Sequence, residues 1–114
     1  MQLEKNLERF VYLNRLFAMY GKLLTKRQQE VFKMYYQFDL SLQEIADALK
    51  ISKAAVSDNL SKSEAHLEKF EDVLQLAKKS QNRTILLENL AKTDLNEHQK
   101  QLVKELIEGE KYGI

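Results

Sequence analysis

The sequence predicts an all-α protein. Its 114 residues contain no proline and three glycines, so few residues interrupt helices. Two capping-box signals follow each other closely, Thr25 with Gln28 and Ser41 with Glu44, and each predicts the start of a helix. Apolar residues recur at helical spacing along most of the chain.

The amino-acid composition excludes several classes of protein. Apolar residues make up 44% and charged residues 31%, which supplies a packed core and argues against disorder. The absence of cysteine excludes disulfides, thiolate chemistry and most structural zinc sites. The chain begins with a charged amphipathic stretch, and no run approaches the roughly 18 apolar residues of a membrane span. We therefore expect a cytoplasmic protein without membrane insertion.

The first three helices are predicted from apolar spacing and caps. Residues 3–22 should form the first helix, with apolar positions Leu3, Leu7, Phe10, Val11, Phe17, Tyr20 and Leu24. Thr25 begins the second helix, whose apolar stripe is Val31, Phe32, Tyr35 and Tyr36. Ser41 begins a short third helix.

A long fourth helix should begin after the cap residue Ser52, with no stop signal before about Ser80. Its inward positions alternate by four and three: Val56, Leu60, Ser63, Leu67, Phe70, Leu74 and Ala77. That spacing is typical of an antiparallel seam within one chain, which we favour, or of a homo-oligomer formed through long helices.

The C-terminal segment should be helical, with a cap at Asp94 or Asn96 dividing it in two. Its candidate packing positions are Ile85, Leu86, Leu90, Leu95, Leu102, Val103, Leu106 and Ile107. We expect residues 1–70 to form one domain and residues 71–114 to be a helical extension that packs on it.

The third helix and the start of the fourth have the spacing of a helix-turn-helix. Ile45, Ala46 and Leu49 face inward from the first of these helices, Ile51 fills the turn, and Val56 and Leu60 anchor the second. An ordinary helical hairpin is the alternative. Lys50 occupies the turn position that glycine commonly holds. A left-handed conformation there would cost about 1 kcal/mol, and a different turn would avoid that cost.

The segment 24–67 resembles region four of bacterial sigma factors, through Leu24-Thr25, Arg27-Gln28 and the Leu-Ser-x-x-Glu-Ile-Ala run at 40–46. It is more similar to the YlxM family of small helix-turn-helix proteins, through Asn14-Arg15-Leu16-Phe17, Tyr35-Tyr36, Ala55-Val56, Asp58-Asn59 and Ser63-Glu64. The similarity covers most of residues 13–74, and we matched the last forty residues to no family. It implies a sigma region four-like core and a regulatory role in the signal recognition particle pathway. The implied partners are DNA or RNA, including the particle's RNA, or its GTPases.

The outward face of the fourth helix is the first candidate binding surface. With Val56 and Leu60 inward, a step of about 100° per residue places small or polar residues outward. They are Ala54, Asp58, Ser61 and Ala65, flanked by Ser57 and Lys62, with Lys53 at the helix tip. The face is nearly neutral, Asp58 would repel phosphates, and few side chains suit bidentate contacts to bases.

Basic residues around this face carry the stronger signal. Lys26 and Arg27 lie in the first turn of the second helix, where each opposes the helix dipole by roughly 0.3–1 kcal/mol unless a phosphate lies nearby. Such residues can also be tolerated without a function. Four further lysines bring the number of possible phosphate contacts to about six. The predicted nucleic-acid-binding residues are Lys26, Arg27, Lys33, Lys50, Ser52, Lys53, Ala54, Ser57, Asp58, Ser61 and Lys62.

The sequence shows no motif for catalysis. It lacks a nucleophile–base pair, a zinc-protease motif and a phosphate loop, and His66 and His98 are expected to face solvent. We therefore expect no enzyme activity, metal, cofactor or small-molecule substrate. Two functions remain open. Lys26, Arg27 and the family resemblance favour a nucleic-acid-binding regulator, whereas the near-neutral outward face favours a protein-interaction module.

Overall fold

The computed structural model describes residues 2–112, and the side chains of residues 6–110. Over residues 2–112 it contains α-helices, one short 3-10 helix (Gly21–Leu23) and no strand. The α-helices are α1 (Gln2–Tyr20), α2 (Lys26–Tyr36), α3 (Leu42–Leu49), α4 (Lys53–Leu74), α5 (Leu76–Ala91) and α6 (Glu97–Tyr112). The predicted all-α fold class is confirmed. The chain divides into two compact units, Met1–Leu74 and Gln75–Ile114.

Side-chain caps begin α2, α3 and α4 at the predicted residues. The Thr25 hydroxyl accepts a hydrogen bond from the Gln28 N–H, and the Thr25 N–H donates to Gln28 Oε1. Ser41 and Glu44 form the same reciprocal pair. Ser52 Oγ accepts from the Ala55 N–H. Each cap satisfies N–H groups that the first turn of a helix leaves without partners.

The helix-turn-helix core contains the predicted residues. Val31, Ile45, Ala46, Val56 and Leu60 form one buried cluster. Leu49 and Ile51 are partly buried against this cluster, as expected for the residues that close the turn. The packing of α3 on α4 therefore presents the opposite side of the start of α4 to solvent.

The predicted apolar stripe of α1 is wrong in its first half. Leu13, Leu16, Phe17 and Tyr20 form the buried face, whereas Leu7 is 62% exposed and Val11 is 59% exposed. A step of about 100° per residue places Leu7 and Val11 on the other side of α1 from Leu13 and Tyr20. Leu3 lies outside the residues whose side chains are described.

The predicted extension of α4 to about Ser80 is also wrong. The helix ends at Leu74, because Gln75 adopts a left-handed conformation with φ 53° and ψ 33°. The inward series of α4 runs through Leu67 to Glu71, whose carboxylate accepts a 2.7 Å hydrogen bond from the Tyr20 hydroxyl. The buried position after Leu67 is therefore Glu71, one residue beyond the predicted inward position Phe70.

The second unit is a pair of helices, α5 and α6, that pack against each other. Asn96 and Gln99 form a reciprocal cap at the start of α6, which confirms the division at Asn96. Val103 is buried, but other predicted packing residues are 44–67% exposed: Ile85, Leu86, Leu90, Leu102 and Leu106. An ion pair between Arg83 and Glu110 joins the two helices.

Candidate nucleic-acid interface

Lys50 makes the turn between α3 and α4 in a left-handed conformation, with φ 57° and ψ 45°. Its N–H donates to the Ala46 carbonyl, which also accepts from the Ile51 N–H at 3.1 Å. The glycine-type turn is therefore kept although the residue is lysine. A non-glycine residue in this conformation costs about 1 kcal/mol. Lys50 is exposed, so its ammonium group lies in solvent beside the start of α4.

The eleven predicted interface residues are all exposed. On the outward face of α4, Asp58 forms an ion pair of 3.0 Å with Lys62, four residues later on the same helix. This pair offsets the repulsion that Asp58 alone would exert on phosphates, but it also occupies Lys62. Both side chains are more than 60% exposed, so the pair contributes only about 0.3–0.5 kcal/mol and exchanges readily.

Asn59 does not belong to the outward face. It is partly buried, and within the described residues its Oδ1 atom is buried without a hydrogen-bond partner. Its amide is therefore poorly placed for bidentate contact with adenine, the base that asparagine usually recognises. The outward face of α4 therefore has few side chains that could contact bases, as the sequence predicts.

Lys26 and Arg27 are the first two residues of α2, and no acidic residue lies in that turn. Within the described part of the chain, neither takes part in an ion pair. The helix dipole therefore acts on two exposed cations that form no ion pair with a carboxylate among the described residues. Lys33 lies in the last turn of α2, about 10 Å further along the helix axis.

The structure brings the start of α2 close to one flank of α4. A shallow groove is lined on the α2 side by Thr25 and Gln28 and on the α4 side by His66 and Lys69. The interface predicted from the sequence does not include His66 or Lys69. Their spacing of four and seven residues from Lys62 would have placed all three on one side of α4. Their proximity to α2 depends on tertiary packing.

The opposite flank of α4 is acidic and is bound within the protein. Arg9 of α1 donates to Glu68 at 2.7 Å and lies 3.9 Å from Glu64, which also accepts from the Tyr36 hydroxyl. The hydrogen bond to Glu68 raises the pKa of Arg9, and burial raises the pKa of Tyr36. The two flanks of α4 therefore differ in charge, and the basic flank is the one beside the start of α2.

Other kinds of site would be indicated by metal ligands, histidines or membrane-spanning helices among the described residues. They contain no group of three or more His, Cys, Asp or Glu side chains placed to hold a metal ion. His66 and His98 are exposed, as predicted. Among the same residues, no helix has both the length and the apolar character required to cross a bilayer.

The chain is similar to proteins of one helix-turn-helix family over most of its length. A model of the helix-turn-helix family UPF0122, described as "YlxM / p13 like", matches residues 7–107. UPF0122 proteins of Bacillus thuringiensis (strain Al Hakam) and Bacillus mycoides (strain KBAB4) are each 41% identical over 103 residues, covering 86% of this chain and 94% of theirs. A UPF0122 protein of Bacillus cereus (strain AH187) is 40% identical over the same coverage. The family match extends into α6, so it includes most of the C-terminal segment, beyond the resemblance over residues 13–74 that the sequence motifs show.

Proposed function

Since the chain belongs to the UPF0122 family of YlxM/p13-like helix-turn-helix proteins, we propose that it binds nucleic acid through the start of α4, the turn before it and the exposed basic residues of α2. The proposed contacts are the predicted ones: Lys26, Arg27, Lys33, Lys50, Ser52, Lys53, Ala54, Ser57, Asp58, Ser61 and Lys62. Lysine and arginine contact the phosphate backbone, and the small residues of α4 allow close approach to a groove.

The observation that carries this proposal is the placement of cations against local conformational preference. Lys50 occupies a left-handed position that favours glycine, and Lys26 and Arg27 occupy a first turn that favours acidic residues. All three side chains are exposed, and core packing therefore does not account for them. A bound phosphate backbone would compensate each of these costs. Violations of local preference are typical of functional sites.

The binding mode follows from which cations are available. Lys26, Arg27, Lys33, Lys50 and Lys53 form no ion pair within the described residues, whereas Lys62 is held by Asp58. With few base-contacting groups on α4, we expect contact with the phosphate backbone to dominate the affinity. Complexes of this kind have dissociation constants of roughly 10⁻⁴ to 10⁻⁶ M at physiological salt.

The salt dependence of binding tests the proposal. Three to five phosphate contacts predict a slope of log K against log salt of about −3 to −4.5 for duplex DNA. Fluorescence anisotropy with a labelled duplex, repeated over a salt series, measures this slope. A variant with Lys104→Gln, which removes an exposed cation of α6, serves as the control and should leave the slope unchanged. Absence of binding to DNA and RNA at low salt would refute the proposal.

The resemblance to YlxM proteins further leads us to propose a regulatory role in the signal recognition particle pathway. Its candidate partners are the particle's RNA and the particle's GTPases. Anisotropy with the particle's RNA and with an unrelated RNA of equal length tests the first partner, and tighter binding to the particle's RNA is expected. Equal affinity for both RNAs would contradict specific recognition of that RNA.

A protein-interaction module is the second candidate function. The observation that favours it is the outward face of α4, where Ala54 and Ser61 accompany an Asp58 that is already paired with Lys62. Such a surface has little net charge and suits a protein partner as well as a nucleic acid. Binding to one of the particle's GTPases, with no binding to either nucleic acid at low salt, would support this function in place of the first.

A further inference from the structure

A groove beside the predicted interface has properties that the phosphate contacts do not explain. It lies in the first unit, between the start of α2 and the C-terminal half of α4, and has a volume of about 380 Å³. Its lining residues are Leu23, Thr25, Gln28, His66, Lys69 and Phe70. Leu23 is 61% exposed beside it. The groove therefore combines an apolar surface with two basic residues.

Aromatic rings form part of this surface. The Phe70 ring lies 6.4 Å from the His66 ring and 6.0 Å from the Tyr20 ring, centre to centre. Tyr20 is almost fully buried, so Phe70 is supported from the core while His66 stays exposed. A ring that is held from behind and reachable from the front can stack on a planar ligand at little conformational cost.

The polar groups around the groove suit an anionic ligand. No carboxylate is among the lining residues, and Lys69 and His66 lie on the α4 side. On the α2 side, Gln28 Oε1 is engaged by the Thr25 N–H, which fixes the orientation of the amide. Its Nε2 group then remains available to donate to the edge of a base. Lys62, His66 and Lys69 lie on one side of α4, so the lining residues His66 and Lys69 share that side with a residue of the predicted interface.

We propose that this groove receives one unpaired nucleotide of the bound nucleic acid. The base would stack against Phe70, His66 and Leu23, and its phosphate would contact Lys69. This inference rests on the nucleic-acid binding proposed above and specifies its ligand class. Bases within a duplex are stacked on their neighbours and cannot enter such a groove, whereas unpaired bases in loops, bulges and single strands commonly stack on protein aromatic rings.

The same assignment explains why α4 needs few base-contacting groups. Its outward face presents Ala54, Asp58 and Ser61, which give a poor direct readout of a major groove. If the groove binds an unpaired nucleotide, the protein selects nucleic acids that contain an irregular or single-stranded segment. It then does not need to read the sequence of a duplex. The phosphate contacts then supply affinity, and the groove supplies preference.

Three labelled RNAs test this inference with the full chain: a blunt duplex, the same duplex with one bulged nucleotide, and a single strand of equal length. Anisotropy at one salt concentration should show roughly tenfold tighter binding to the bulged duplex and the single strand than to the blunt duplex. A variant combining Leu23→Ser with His66→Ala should lose this preference and keep the affinity for the blunt duplex. Both residues are exposed, so the helical circular dichroism should be unchanged.

Phe38→Ser provides the matched control, because Phe38 is 65% exposed and does not line the groove. This variant should retain the preference for unpaired nucleotides. Equal affinity of the wild-type protein for all three RNAs would overturn the groove assignment while leaving the proposed function intact. A preference that persists in the Leu23→Ser, His66→Ala variant would also overturn it. Absence of binding to every RNA and to DNA would refute both proposals.

Discussion

Replacing Lys50 with glycine separates the conformational cost of this lysine from its proposed function. Lys50 has φ 57° and ψ 45° at the end of α3, and its side chain is exposed. Glycine adopts this conformation without steric strain, and no buried contact is lost. Lys50→Gly should therefore raise the free energy of unfolding by about 0.5–1 kcal/mol. Urea denaturation followed by circular dichroism measures this change.

The same substitution should weaken nucleic-acid binding. Loss of one phosphate contact reduces the magnitude of the salt slope by about 0.9. Lys50→Ala gives the necessary comparison, because alanine removes the charge but keeps the left-handed strain. We expect Lys50→Ala to leave stability close to that of the wild type and to weaken binding as much as Lys50→Gly does.

Asp39 provides a matched position for the conformational part of this experiment. It also has φ 57°, but aspartate tolerates the left-handed region better than lysine does. Asp39→Gly should stabilise the protein less than Lys50→Gly and should not reduce the salt slope. If Lys50→Gly fails to stabilise the protein, the strain argument is wrong. Unchanged nucleic-acid binding in both Lys50 variants would show that Lys50 does not belong to the interface.

Three further predictions test the helix starts and the orientation of α4. Lys26→Glu combined with Arg27→Glu should leave the free energy of unfolding unchanged or raise it by up to about 2 kcal/mol, and it should abolish nucleic-acid binding. If the double variant is stabilised but binds normally, neither residue belongs to the interface. Val56→Asp should unfold the domain and Ala54→Asp should not, as measured by thermal melting; the reverse order would contradict the assigned orientation of α4. The backbone N–H of Ser41 donates to the Glu44 carboxylate and lowers the pKa of Glu44. The ionised Glu44 therefore stabilises the folded protein at pH values above the ordinary carboxyl pKa. This stabilisation is lost as the pH falls through the lowered pKa of Glu44. The stability difference between the wild type and Glu44→Gln should disappear in acid, and a difference that grows in acid would contradict this assignment.

The starts of α2, α3 and α4 could be predicted because caps are local chemistry. Thr25, Ser41 and Ser52 each satisfy N–H groups within the next three residues, so the signal and its structural effect are adjacent in sequence. The inward positions Val56 and Leu60 follow from the same starting points, because the cap fixes the phase of the helix. The helix-turn-helix was therefore predictable from the sequence in some detail.

The end of α4 could not be predicted, because no local signal marks it. Gln75 adopts a left-handed conformation although glutamine is neither a common cap nor a helix breaker. A similar limit applies to α1, where apolar residues occur on two sides of the helix. Periodicity alone did not show that Leu13 and Leu16 face the core while Leu7 faces solvent. Only the positions of α2 and α4 decide which side of α1 becomes buried.

The electrostatic character of the candidate site depends on packing in the same way. Along the sequence, α4 carries three lysines against five aspartates and glutamates, so its composition alone indicates an acidic helix. In the structure, Arg9 binds the acidic flank at Glu68, and the start of α2 adjoins the basic flank at Lys69. Partners far away in sequence thus neutralise one flank and leave the other available. This separation also supports the binding proposal, because α4 would repel phosphates if its acidic flank were exposed and unpaired.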